Sequence, residues 1–236
     1  MRIAALELIF RVDQAEATRV ISRLLNHPKT PIHEKQIALH LISGSFASKE
    51  TDELLKHQLG RFSQIPPELK LDLLEAATAR KIDAPAPEYF YTLKGGDQQR
   101  GENLFKNHLS AQCVRCHETG QGNGSDIGPN LESVGRKGRE YLLESLLEPQ
   151  KVIVQGYGAI SLTLKSGESV AGILEREEEN SIVIKDSKGK TQTIKTSMIQ
   201  ERSPVISTMP PMGAILNKHE IRDIIEYLSS LQKKPQ

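Results

Sequence analysis

The chain has 236 residues, with 31 Lys and Arg against 30 Asp and Glu, and a formal net charge of +1. Such an even balance gives no strong field directed at nucleic acid or at an anionic membrane surface. The sequence also lacks a run of about 20 apolar residues, the length that a transmembrane helix needs. We therefore expect no nucleic-acid partner and no transmembrane segment.

In residues 1 to about 85, apolar residues recur at the spacing of an α-helix, and this pattern predicts helices without strands. Three similar segments contain Leu6, Leu39 and Leu73, which lie 33 and 34 residues apart. Helix-breaking residues separate them at Asn26-His27-Pro28 and at Ile65-Pro66-Pro67. Paired helices at this period resemble an α-solenoid of the HEAT type, whose period is about 40 residues or somewhat more. The pattern predicts a HEAT-like helical repeat domain over residues 1–93, and an irregular helical bundle is the alternative.

A second domain is predicted over residues 94–236, after a boundary rich in Pro and Gly at Ala84-Pro85-Ala86-Pro87 and Lys94-Gly95-Gly96. We expect three helices in it. The first begins after Asp97 and runs to about His108, the second covers Gly138 to Leu147, and the third follows a capping box made by Asn217 and Glu220. Between the second and the third helix the hydrophobic period changes.

From Tyr157 onward apolar and polar residues alternate, and Gly-containing turns interrupt the alternation. Five short strands are predicted within residues 156–203. Strands of this number and length favour a small five-stranded SH3-like or Sm-like β barrel. The fold class predicted for the whole chain is therefore mainly α with a small β insert.

The two cysteines of the chain both lie in Cys113-Val114-Arg115-Cys116-His117. C-x-x-C-H is the signature for covalent attachment of c-type haem. The thiols of Cys113 and Cys116 bind the two vinyl groups, and His117 is then held where its imidazole can bind the iron. We predict one haem c, with His117 as an iron ligand.

Two other kinds of site use the same residues. A structural zinc site needs four ligands, usually in two separated pairs, and the chain has no second cysteine pair. A thioredoxin-like pair follows a strand in an α/β pattern, whereas this motif follows a helical stretch. Both remain alternatives to haem.

Two further residues are predicted to belong to the site. Gly128-Pro129-Asn130-Leu131 follows the motif, and the Pro129 carbonyl can accept a hydrogen bond from the second nitrogen of His117. Near the C-terminus, Met209 precedes the last helix and is the preferred second iron ligand, because a thioether raises the reduction potential of haem. Met212, His108 and an open position are the alternatives.

Several of these segments together resemble class I cytochromes c: Gly101-x-x-Leu104-Phe105, the C-x-x-C-H motif, Gly128-Pro129-Asn130-Leu131 and Met209-Pro210. The order of residues 139–149, Gly156-Tyr157 and Ser207-Thr208-Met209-Pro210 is similar to a more specific family. This is the haem-binding C-terminal domain of large exported proteins from planctomycetes and verrucomicrobia. The resemblance covers about residues 97 to 232, and it implies a cytochrome domain with a small β module inserted before the Met ligand.

The resemblance implies electron transfer rather than enzymatic catalysis. Electrons would come from a fused or docked dehydrogenase and pass to a cytochrome or another acceptor. Since c-type haem is normally attached outside the cytoplasm and residues 1–10 do not resemble a secretory signal, we expect this sequence to be the C-terminal part of a longer exported or periplasmic protein. A haem enzyme or gas sensor and a protein-binding adaptor are the competing functions.

Overall fold

The structure is a computed structural model that describes residues 8–44, 48–120, 122 and 124–232. The chain divides into two compact units, Met1–Asp97 and Gln98–Gln236. Each unit has a hydrophobic core of its own helices or strands. The assignment of the first unit to HEAT-like repeats stays a prediction.

The first unit is built from helices whose ends carry recognisable signals. Residues 8–12 are helical, followed by α1 (Gln14–Asn26), α2 (Ile32–Ser43), α3 (Lys49–Leu59) and α4 (Pro67–Ala79). The Asp13 side chain caps α1 by accepting from the Glu16 amide at 2.9 Å, and Ser48 caps α3 in a capping box with Thr51. Leu39 and Leu73, two of the three equivalent positions, are buried in this core, while Leu6 lies outside the described residues.

The described part of the second unit has three α-helices besides short 3₁₀ helices: α5 (Gln98–Asn107), α6 (Arg139–Leu147) and α7 (Lys218–Ser230). The capping box of Asn217 and Glu220 is present at the start of α7, as the sequence predicts. Helices α5 and α7 pack against each other, and the crossing depends on Gly101: a β-carbon there would lie 1.9 Å from the main-chain oxygen of Asp223. One turn further along α5, the ring of Phe105 packs 5.6 Å from that of Tyr227. The first and last helices of this unit are therefore joined by close main-chain contact.

Between α6 and α7 lie six strands: β1 (Gly158–Leu164), β2 (Ser169–Glu178), β3 (Ser181–Lys185), β4 (Thr191–Lys195), β5 (Ile199–Arg202) and β6 (Ile206–Ser207). The prediction of a closed five-stranded SH3-like or Sm-like barrel is wrong. The strands form one open antiparallel sheet in the order β4-β3-β2-β1-β5, and β6 pairs with β1. The fold class is therefore a set of helices with an open six-stranded sheet.

The pairing of β1 explains why the barrel does not close. One part of this strand pairs with β5, from Leu162 to Leu164, and the other part pairs with β6, at Gly158 and Ala159. The register shifts between Thr163 and Leu164, which marks a bulge in this ladder. Both β5 and β6 pair with β1, so neither of them pairs with β4. Within residues 158–207, all of which the structure describes, β4 is therefore an edge strand.

The β segment leaves and re-enters the helical part of the unit at one place. Gly158, at the start of β1, pairs with Ser207 in β6. The two ends of the strand segment therefore lie close together. The core face of the sheet is filled by the side chains of Ile160, Leu162 and Leu164 with Ile182, Ile184 and Ile194.

None of the helices within the described residues combines the length and the apolar character that crossing a bilayer requires.

Candidate haem site

The C-x-x-C-H residues lie on one tight turn. Cys113–Arg115 is a short 3₁₀ helix, and it begins after Gln112, whose φ of 45° is left-handed. The Cys113 carbonyl oxygen accepts from the amide of Cys116 at 3.1 Å and from that of His117 at 2.9 Å. Both cysteines are free thiols and partly buried. One turn of backbone therefore holds the two thiols and the imidazole close together, as attachment of haem requires.

The ring of His117 is oriented by the main chain of the following loop. Its Nδ1 lies 2.9 Å from the carbonyl oxygen of Pro129, which is the contact expected from the sequence. This hydrogen bond leaves Nε2 as the nitrogen that can bind a metal. Burial lowers the pKa of His117, and the hydrogen bond to Pro129 opposes that shift. The result favours a neutral imidazole, which is the form that ligates iron.

Gly128 makes room for this ring. A β-carbon at residue 128 would lie 2.7 Å from Cε1 of His117 and 3.0 Å from the carbonyl oxygen of Cys116. The Gly128 amide also donates to that oxygen at 2.6 Å. The loop thus packs main chain, with no side chain between, directly against the motif. Sequence reasoning included Gly128 in a matching segment but did not assign it this contact.

The motif borders a cavity of about 180 Å³. Cys113, Cys116 and His117 line it, and so do Pro129 and Met209. All five residues predicted for the site therefore meet at one cavity. The rest of its wall is largely apolar, contributed by α5, α6, α7 and the segment that leads into β1, and it includes Phe105, Leu142, Leu146, Ile153, Ile224 and Leu228.

The two candidate methionines differ in their surroundings, although both line the cavity. Met212 is only 3% exposed and begins a short 3₁₀ helix, so its side chain is already packed among protein atoms. Met209 is partly exposed in an irregular segment, and its amide donates to the Ser207 hydroxyl oxygen at 3.2 Å. Of the two methionines, Met209 is therefore the one whose side chain is less closely packed by protein atoms.

His108, the other alternative ligand, is engaged elsewhere. Its Nδ1 accepts from the amides of Ser110 and Ala111 at 3.2 and 3.0 Å, so the ring holds the turn that follows α5. Its Nε2 lies 3.5 Å from a carboxylate oxygen of Glu220 on α7. Both ring nitrogens thus have protein partners, and His108 is not among the residues that line the cavity.

The groups at the cavity that could bind a covalently attached haem are thiols, an imidazole and thioethers. Two free thiols, one oriented imidazole and two methionines border one largely apolar cavity. Apolar walls suit a large flat ring, and c-type haem uses two thiols for attachment with an imidazole and a thioether as iron ligands. The residues present therefore fit this cofactor.

The alternative of a thiol redox pair agrees less well with the surroundings of the cysteines. Burial raises the pKa of the Cys113 thiol to about 11. Redox-active cysteines need the opposite, because the thiolate is the reactive form. For the zinc alternative, the described part of the chain contains no group of three or more His, Cys, Asp or Glu side chains arranged to hold a metal ion.

Other cavity residues had no signal in the sequence. Ile127, Val152 and Val154 line the cavity and are 59%, 56% and 37% exposed. Tyr141 and Tyr157 line it as well. Single apolar residues in loops have no motif, and only the folded chain brings them to one wall.

Comparison with known proteins gives a limited result. No protein-family model matches the chain. A segment of 41 residues, 17% of the chain, is 46% identical to a cytochrome c from Stellaria longipes. The matched segment spans 34% of that relative, so the chain covers about a third of its length. The chain thus contains a segment similar to cytochrome c.

Proposed function

We propose that this protein carries one covalently attached haem c with His117 and Met209 as iron ligands, and that it transfers electrons between redox proteins. The observation that carries the proposal is the meeting of Cys113, Cys116, His117 and Met209 at one apolar cavity. The cytochrome c-like segment supports the same function.

Each group has a chemical task in this proposal. The thiols of Cys113 and Cys116 would each add across a vinyl group, forming one carbon–sulfur bond and transferring the thiol hydrogen to the neighbouring vinyl carbon. His117 would bind the iron through Nε2, while the Pro129 carbonyl keeps the other nitrogen protonated and fixes the ring. Met209 provides a thioether, which favours the ferrous state. When bound, the haem accepts one electron at iron and releases one electron again.

The walls of the cavity determine how easily that electron is exchanged. Apolar side chains from three helices line the cavity, and around a bound haem they would lower the local dielectric and disfavour the extra positive charge of the ferric state. With His117 and Met209 both bound to the iron, no open position would remain for a substrate or a gas. The protein is therefore proposed to be an electron carrier, not an enzyme.

The partners and the location are proposals by analogy with the resembling family. The donor would be a dehydrogenase, fused or docked, and the acceptor a cytochrome or another one-electron carrier. Attachment of haem c would take place outside the cytoplasm, in a periplasmic or otherwise exported protein. The helical unit would then serve as a spacer or docking element for the donor.

Expression in a bacterium with an active c-type maturation system, with an export signal added, tests the proposal. We expect the denatured chain to keep its haem, the double variant Cys113→Ser, Cys116→Ser to lose it, and the control Ser110→Ala to keep it. Extraction of all haem into acidified organic solvent from the unmodified protein would overturn the proposal.

Spectra of the same preparation separate electron transfer from ligand chemistry. A low-spin six-coordinate spectrum in both oxidation states is expected, with a sulfur-to-iron band in the ferric protein. A high-spin reduced form that binds carbon monoxide rapidly would instead support a haem enzyme or a gas sensor.

A further inference from the structure

The side chain of Gln150 holds both main-chain groups of Ser207. Its Nε2 donates to the Ser207 carbonyl oxygen at 3.0 Å, and its Oε1 accepts from the Ser207 amide at 2.8 Å. One carboxamide therefore satisfies the donor and the acceptor of one residue. The two residues are 57 positions apart in sequence, so this is a tertiary contact and not a local turn.

Ser207 passes this constraint on to Met209. The Ser207 hydroxyl oxygen accepts from the Met209 amide at 3.2 Å, which forms a tight turn over Thr208. Pro210 follows and restricts the backbone of Met209 to extended conformations. Hydrogen bonds thus connect Gln150 to Ser207 and Ser207 to Met209, and Pro210 restricts the backbone of Met209.

The clasp formed by Gln150 and Ser207 stands at the edge of the cavity. Pro149, directly before Gln150, is buried and lines the cavity, and Ser207, Thr208 and Met209 line it too. The clasp also joins the two ends of the β segment, next to the pairing of Gly158 with Ser207. It therefore fixes the end of α6 to the segment that carries the methionine.

We infer that Gln150 is a positioning residue for the Met209 thioether, holding the segment 207–210 so that the sulfur stays on the iron. This inference rests on the proposed function. Without the clasp, the segment would open more often, and an external ligand could replace the thioether. Haem attachment would be unaffected, because the thiols and His117 lie on a different segment.

Titration of the ferric holoprotein with imidazole measures how readily Met209 is displaced. We expect Gln150→Ala to bind imidazole about tenfold more tightly, because the loss of both hydrogen bonds to Ser207 changes the population of the open segment by about this factor. Gln150→Glu can still accept from the Ser207 amide but cannot donate to its carbonyl. Its affinity for imidazole should lie between those of the unmodified protein and Gln150→Ala. Haem content should be equal in all of them.

Gln155→Ala is the matched control. Gln155 is an exposed glutamine of the same loop and does not line the candidate haem cavity, so its variant should titrate like the unmodified protein. Ser207→Ala tests the second link, since it removes the hydroxyl group that accepts from Met209 and leaves the clasp intact. It should also bind imidazole more tightly.

The outcomes separate this inference from the proposed function. A missing sulfur-to-iron band in the unmodified protein would contradict the ligation itself. If the band is present there and imidazole binds equally to the unmodified protein, Gln150→Ala and Ser207→Ala, only the positioning role is overturned. Equal tightening in Gln150→Ala and Gln155→Ala would overturn it as well, because the effect would then belong to the loop in general.

Discussion

The ring of His117 stands against residue 128, where a β-carbon would lie 2.7 Å from Cε1. Only glycine leaves this space, and the Gly128 amide is meanwhile bound to the Cys116 carbonyl at 2.6 Å. The loop and the ring cannot both keep their positions if a side chain is added. The position of the His117 ring in the proposed haem site therefore depends on the absence of a side chain at residue 128.

Gly128→Ala should displace the imidazole and weaken its bond to iron. We expect a lower reduction potential or a high-spin fraction in the spectrum, together with a loss of about 1–3 kcal/mol in the free energy of unfolding, as for other overpacked sites. Gly44→Ala is the control, because a β-carbon there has no atom within 4 Å. Identical spectra and stability for Gly128→Ala and the unmodified protein would contradict this role.

Replacement of each methionine by alanine should separate ligation from packing. Met209→Ala should lose the sulfur-to-iron band and lower the reduction potential, with a small effect on stability, since the side chain is partly exposed. Met212→Ala should keep the band but lower the free energy of unfolding by about 2–5 kcal/mol, because its side chain is buried. Visible spectra and chemical denaturation measure both. Loss of the band in Met212→Ala alone would assign the ligand to Met212.

The crossing of α5 and α7 should tolerate no side chain at residue 101. A β-carbon there would come within 1.9 Å of the Asp223 oxygen, so Gly101→Ala must force the helices apart. We expect the free energy of unfolding to fall by about 1–3 kcal/mol, as measured by thermal or chemical denaturation. For Gly60→Ala, where a β-carbon meets its nearest atoms at 3.6 Å, little change is expected. Equal stabilities of the two variants would contradict the close crossing.

An ion pair between β2 and β5, the strands on either side of β1, should make the sheet slightly sensitive to acid. Arg202 on β5 donates two hydrogen bonds to Glu177 on β2, at 2.5 and 2.9 Å, and these hold the pKa of that carboxyl below its usual value. A lowered pKa in the folded state means that the pair stabilises the protein at neutral pH. That contribution disappears as the pH falls through the folded pKa. Since both side chains are largely exposed, the contribution should be less than about 1 kcal/mol.

Arg202→Gln checks this pH dependence. The variant should melt slightly below the unmodified protein at pH 7, and the difference should vanish in acid once Glu177 is protonated. Lys165→Gln removes a positive charge in the turn that follows β1 and serves as the control. A difference that persists unchanged in acid would show that Arg202 acts through packing and not through the ion pair.

Features that depend on neighbouring residues followed from the sequence alone. The capping box at Asn217 and Glu220 and the turn that carries Cys113 to His117 are examples. The contact between His117 and Pro129 was also expected, because only 12 residues separate them. In each case the sequence spacing and the backbone geometry limit the arrangement to one or a few choices.

The tertiary structure decided what depends on long-range pairing. The alternation of apolar and polar residues predicted strands, but it contains no information about which strand edges pair. The structure has an open sheet, in which β1 pairs with both β5 and β6, in place of the expected barrel. A lone glutamine has no motif, and the clasp of Gln150 on Ser207 exists only because the β segment returns to its starting point. The space at Gly128 and the separate environments of Met209 and Met212 likewise depend on how distant segments pack. Local chemistry thus determined the binding motif, whereas the path of the folded chain determined which residues surround it.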